Sequence, residues 1–152
     1  MSAYFDSALL VKAYCLEATS PQAIALLRAA TPPLPFTHLH ALEIANALRL
    51  KRHRRELTEA ELGTALRHLQ QDVDSGVLEK PDYELPEVFA TAEELSAKHT
   101  VKTGARSLDV LHVAAALTLG VTEFISFDLR QRALAHQAGL AVQPQAIPTQ
   151  QS

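Results

Sequence analysis

Ala3-Tyr4-Phe5-Asp6-Ser7-Ala8-Leu9-Leu10-Val11-Lys12 changes character twice within ten residues. A short apolar run stops abruptly at Asp6, and a helix-like stretch, Ala8 to Tyr14, follows with Ser7 as its expected N-cap. The segment therefore reads as strand, acid, helix. The same order returns late in the chain, where Phe124-Ile125-Ser126 gives the clearest strand signal and Phe127-Asp128 leads into a helix from Leu129 to Gln137.

Between these two junctions, Ser20-Pro21 opens a helix that Thr31-Pro32-Pro33 stops, with Ser20 as its expected cap. Leu34 to Thr37 reads as a short strand and Leu39 to about Leu50 as a helix. A Thr58-to-Glu61 capping box opens a further helix, which Gly76 ends. Val77 to Glu79 is a minor strand, Glu84 to Lys98 a helix, and Ser107 to Leu119 a helix with Ser107 as N-cap and Gly120 just past its end. After Gly139, Leu140 to Val142 supplies a last strand. Strands alternating with helices predict an α/β fold with a short parallel sheet covered on both faces, because each parallel crossover must carry a helix back over the sheet.

The chain has 152 residues, 47% hydrophobic and 20% charged, enough for one compact domain with its own core. That domain is expected over residues 1–142, with a polar tail over 143–152. No apolar run reaches the roughly 18 residues that would span a bilayer, and no basic-then-apolar leader is evident. The expectation is a cytoplasmic protein with no membrane association. The single cysteine, Cys15, has no partner for an internal disulfide, and no CxxC or HxH pattern suggests zinc or an iron-sulfur cluster. Aromatics at 5%, without tryptophan, argue against a sheet platform that stacks unpaired bases.

A net charge of −3 discourages a nucleic-acid reading until its distribution is considered. Residues 56 to 94 hold 11 acids against two bases, Arg67 and Lys80, so the rest of the chain carries +6. Outside that segment stand only six acids: Asp6, Glu17, Glu43, Asp109, Glu123 and Asp128. Asp6 and Asp128 each follow an apolar strand, at the carboxyl edge where parallel sheets collect ligands. Glu43 belongs to a narrow polar stripe, His40, Glu43 and Asn46, in an otherwise apolar helix. Asp109 sits near the start of a helix apolar enough to be buried.

Converging carboxylates repel one another, and protonation or a bound cation relieves the repulsion. Four hard oxygen ligands favour Mg2+ or Mn2+ over zinc, and such an ion suits phosphodiester hydrolysis. Each acid also has a plainer role. Asp6 can start a helix, Asp109 and Asp128 can complement helix dipoles, and Glu43 can face solvent.

The segments Ala3 to Lys12, Ala41-Leu42-Glu43-Ile44-Ala45-Asn46-Ala47-Leu48, Arg106 to Ala116 and Phe124-Ile125-Ser126-Phe127-Asp128 together resemble the PIN-domain ribonucleases, and most closely the VapC-type toxins of bacterial toxin-antitoxin pairs. The resemblance covers nearly the whole chain. It implies a three-layer α/β/α PIN-like fold and an endoribonuclease that depends on Mg2+ or Mn2+. It also implies a homodimer and an inhibitory antitoxin partner. Asp6, Glu43, Asp109 and Asp128 match the family's catalytic, metal-holding acids, Asp128 being either a direct ligand or a supporting residue. Ser7 and Ser126 match positions where the family carries small hydroxyl residues near the site, although a cap and a strand end explain them equally well.

Arg49, Lys51, Arg52, Arg54 and Arg55 put five cations in seven residues at the end of the Glu43 helix. RNA phosphates are one explanation, with Arg49, Lys51 and Arg52 as candidate contacts, and the negative end of the helix dipole is the other. Arg106 precedes the Asp109 helix, where a cation is disfavoured unless a phosphate or carboxylate compensates it. His112 either faces the site or is a hydrogen-bonded core histidine. Two rival functions remain. A haloacid-dehalogenase-like phosphohydrolase also places an aspartate after its first strand, but its second aspartate is Ala8 here. A catalytically inactive protein-binding module would use the acids structurally.

Overall fold

Two three-residue strands, Ala3–Phe5 and Glu123–Ile125, form parallel partners, and the rest of the fold is arranged by where helices fit between such strands. The computed structural model describes residues 1–149. In chain order these form β1 (Ala3–Phe5), α1 (Ser7–Tyr14), α2 (Ser20–Ala29), β2 (Leu34–Pro35), α3 (His38–His53), α4 (Glu59–Asp74), β3 (Leu78–Glu79), α5 (Leu85–Thr103), α6 (Ser107–Thr118), β4 (Glu123–Ile125), α7 (Leu129–Gln137) and β5 (Ala141–Gln143). The fold is mixed α/β with seven helices among the described residues, and every strand pairing is parallel. No helix among them is long and apolar enough to cross a membrane.

The chain divides into two compact units. The first comprises Met1–Asp6 and Pro81–Ile147 and holds a sheet of order β1-β4-β5. Tyr4 pairs with Phe124 and Phe5 with Ile125 in register, and the Asp6 amide closes the ladder on the Ile125 carbonyl at 3.1 Å. Tyr4 and Phe124 stack with ring centroids 5.5 Å apart. The Tyr4 hydroxyl meets His112 Nδ1 at 2.7 Å, so His112, 1% exposed, is a satisfied core histidine. Ala114, Ala115 and Ala116 of α6 are solvent-free, and these small side chains let α5 and α7 approach α6 closely.

The second unit comprises Ser7–Lys80 with Pro148 and Thr149, and carries α1 to α4 with the two-stranded β2-β3 pair. Helix α1 packs on α2, α3 and α4, and Ile44 and Leu48 of α3 are fully buried. Thr58 and Glu61 form the expected capping box, with the Thr58 amide donating to Glu61 Oε2 at 2.7 Å and the Glu61 amide to Thr58 Oγ1 at 3.1 Å.

Three caps differ from the sequence expectation. Ser7 is the first residue of α1, not its cap, and donates its hydroxyl to Glu43. Ser20 is the first residue of α2, and its hydroxyl accepts from the Glu17 amide, backwards along the chain. Ser107 is the first residue of α6, and Arg106 occupies the cap position because Asp109 reaches back to the Arg106 amide. Helix α5 runs five residues past Lys98, to Thr103, ending where Gly104 takes a left-handed conformation, φ 66°. Gln143, expected to open the tail, is the last residue of β5, where its carbonyl accepts from the Ser126 amide at 3.1 Å. The last three residues of the expected tail, 150–152, lie outside the described residues.

Candidate carboxylate site at the ends of strands β1 and β4

A strand that ends in an acid leaves that acid at the carboxyl edge of a parallel sheet, and Asp6 stands there after β1 with only 1% of its surface exposed. Ser126 holds the matching position after β4 and is solvent-free. Its hydroxyl donates to Asp6 Oδ2 and accepts from the Asp128 amide, the latter at 2.9 Å. One side chain thus links the buried carboxylate to the turn that starts α7. This link orients the Asp6 carboxylate.

Asp128 is exposed and caps α7, its Oδ1 accepting from the Arg130 and Gln131 amides, both at 2.9 Å. Asp109 is half-buried, and its Oδ2 accepts from the Arg106 amide at 2.9 Å. Both acids therefore perform the plainer role weighed above. Each does so with one oxygen, and the second oxygen of each keeps its lone pairs as a hard donor. Glu43 belongs to the second unit, where its Oε1 accepts from the Ser7 hydroxyl at 3.0 Å. Ser7 directly follows Asp6 in the chain. His40, on the same helix as Glu43, is solvent-free and caps it, with Nδ1 accepting from the Thr37 amide at 3.0 Å. Within the polar stripe, His40 is therefore structural and Glu43 is a candidate.

The donors are carboxylate and hydroxyl oxygens, a set suited to Mg2+ or Mn2+. Among the described residues, no three His, Cys, Asp or Glu side chains form a ready-made metal-ligand group.

The candidate RNA contacts separate as sharply. Lys51 Nζ lies 3.0 Å from Glu17 Oε1 and 3.5 Å from Glu56 Oε2, and Arg52 Nε lies 3.3 Å from Glu59 Oε2. Glu17 also takes Lys12 at 2.6 Å. Burial pushes the Glu17 carboxyl up, but the two lysines outweigh it and hold the group below its ordinary value. Arg49 and Arg106 are exposed. Arg106 borders a cavity of about 440 Å3 with Phe89, Ala92, Ser96, Thr100 and Val110.

Sequence reasoning missed one supporting residue, Arg132. Its guanidinium donates to the Ser126 carbonyl at 2.9 Å and the Pro144 carbonyl at 2.7 Å, pinning the end of β4. No local pattern marks an arginine whose partners lie six and twelve residues away on other elements. No family model matches the chain, and no curated protein is significantly similar to it.

Proposed function

We propose that the protein is a metal-dependent endoribonuclease with a single three-layer PIN-like domain, acting as the toxin of a VapBC-type toxin-antitoxin pair. The observation that carries the reading is Asp6: a buried carboxylate at the carboxyl end of β1, oriented by a hydroxyl from the neighbouring parallel strand. A buried carboxylate at the carboxyl edge of a parallel sheet, held in a fixed direction, suits a group that binds a ligand there. Asp6, Glu43, Asp109 and Asp128 are the residues that would hold Mg2+ or Mn2+. A bound ion of this kind supplies charge neutralisation and a water of lowered pKa.

The chain's own groups do the rest. Ser126 fixes the orientation of Asp6, Ser7 does the same for Glu43, and Arg132 holds the Ser126 backbone so that its hydroxyl keeps both partners. On this reading the substrate is RNA, the chain acts in the cytoplasm as a homodimer, and an antitoxin silences it. A basic side chain from that antitoxin would be attracted to the acidic pocket.

A second reading is favoured by the capping bonds of Asp109 and Asp128, which account for both acids structurally. On it the chain is an inactive protein-binding module. The test is 5′-end sequencing of bacterial RNA after incubation with purified protein in Mg2+, Mn2+ or EDTA, beside Asp6→Asn. Metal-dependent ends absent from the variant are expected. Failure to bind Mn2+ together with an absence of new ends would favour the module. The phosphohydrolase alternative predicts release of phosphate from small phosphomonoesters instead.

A further inference from the structure

We infer that Arg49, Arg54 and Arg55, at the C-terminal end of α3, form a docking surface for the phosphates of single-stranded RNA. The inference rests on the nuclease reading for the identity of its ligand. Its argument is a local balance of charge.

At this end of α3, Lys12 and Lys51 are matched by Glu17 and Glu56 in one network of ion pairs, and Arg52 by Glu59 in a separate pair. That group sums to zero. Arg49, Arg54 and Arg55 are exposed, and their side chains make no ion pair or hydrogen bond among the described residues. Three guanidinium groups are therefore left uncompensated on a neutral base.

The helix dipole does not account for them. Lys51, Arg52 and His53 occupy the last turn of α3, where a cation complements the carbonyl end. Arg54 and Arg55 lie beyond that turn, and Arg49 lies before it. The division of labour follows chemistry as well. Lys12, Lys51 and Arg52 serve the ion pairs, while the unpaired positions are all arginine, whose planar fork matches phosphate oxygens in pairs.

Arg55 adds an independent observation. Its φ is 64°, and every other described residue with positive φ is a glycine: Gly76, Gly104, Gly120 and Gly139. The turn after α3 is closed by the Arg55 amide on the Arg52 carbonyl at 3.0 Å and the Glu56 amide on the Lys51 carbonyl at 2.9 Å. Such a helix end favours glycine, and an L side chain there is disfavoured. A side chain kept at a strained position without an intramolecular partner points to an external one.

The experiment measures fluorescence anisotropy of a labelled single-stranded RNA of mixed sequence, titrated with the full chain in EDTA over a range of salt. Binding is expected to weaken with salt. Arg49→Ala/Arg54→Ala/Arg55→Gly is expected to reduce the log-log salt slope by about 2, at about 0.7 per phosphate contact, and to lower affinity more than tenfold. Arg28→Ala, which removes one exposed arginine of α2, is the charge control and should change affinity less than twofold. Arg55→Gly alone should leave the melting temperature unchanged or raise it by about 1 to 3 °C while weakening RNA binding, a result that misfolding does not produce. An unchanged slope in the triple variant, or no RNA binding by the wild type, overturns the inference. Cleavage is assayed separately in Mn2+. Cleavage and affinity both retained by the triple variant would remove this surface and leave the nuclease. Salt-dependent binding lost in the triple variant, without cleavage by the wild type, would keep the surface and remove the nuclease.

Discussion

Asp6 and Glu17 are both carboxylates with limited access to water, and the protein treats them in opposite ways. Glu17 takes two ammonium groups, from Lys12 and Lys51, which cancel its charge and hold its pKa down. Asp6 is more deeply buried and is gripped by the neutral hydroxyl of Ser126. Two lysines make a carboxylate a structural tie, whereas a hydroxyl from a neighbouring strand fixes the direction of a buried one. The contrast separates an acid tied by ion pairs from one oriented by a hydroxyl.

The strongest way to break that contrast is Asp6→Asn, which preserves shape and removes charge. RNA cleavage should fall on the order of 10³-fold, with an unchanged circular dichroism spectrum. Full cleavage by the folded variant would put Asp6 in the same structural class as Glu17. Ser126→Ala tests orientation without touching charge. Cleavage and the apparent Mn2+ affinity should drop by about 10- to 100-fold, the range for residues that support metal ligands, with restoration by Ser126→Thr. Activity equal to wild type would mean that the hydroxyl only ends a strand.

Glu17→Gln is the reciprocal experiment. It should lower stability by about 1 kcal/mol in urea denaturation, solvent screening included, and leave RNA cleavage within twofold. The pH dependence has a definite sign. Because the folded Glu17 carboxyl titrates below its ordinary value, its contribution is present above the unfolded pKa and is lost as pH falls through the folded one. Melting temperatures followed downward from about pH 5 should therefore decline more steeply for wild type than for Glu17→Gln, and parallel curves would refute the linkage.

The smallest effect is expected at Tyr14, whose hydroxyl donates to Asp72 Oδ2 at 2.7 Å. Burial, that hydrogen bond and the Asp72 charge all push the phenol well above its ordinary pKa. Tyr14→Phe should cost about 0.5 to 1 kcal/mol at neutral pH. The wild type should lose that difference as pH rises past about 10, where the unfolded phenol ionises first. A gap between the two chains that persists at high pH would refute the linkage.

The junction at Asp6 was legible because a strand must exclude an unpaired charge, so an acid directly after an apolar run marks its end. The Thr58-to-Glu61 box was legible because both partners lie within four residues. Helix α7, expected from Leu129 to Gln137, has those bounds in the structure because Asp128 and Gly139 mark its ends locally. Ser7, Ser20 and Ser107 misled as caps because serine satisfies whichever backbone or side chain is nearest, and for Ser7 that partner lies 36 residues away. Arg132 left no trace in sequence for the same reason. The basic run at α3 showed five cations but not their partners, and Glu17, which neutralises Lys51, is 34 residues away from it.

By itself the sequence determined the alternation of strands and helices, the acids at their junctions and the concentration of positive charge near α3, because periodicity, capping and charge are properties of neighbours along the chain. Only the tertiary structure decided which acid is buried, which hydroxyl orients it, and which arginines lack a carboxylate. Those depend on contacts between distant residues, where burial changes what a charge costs.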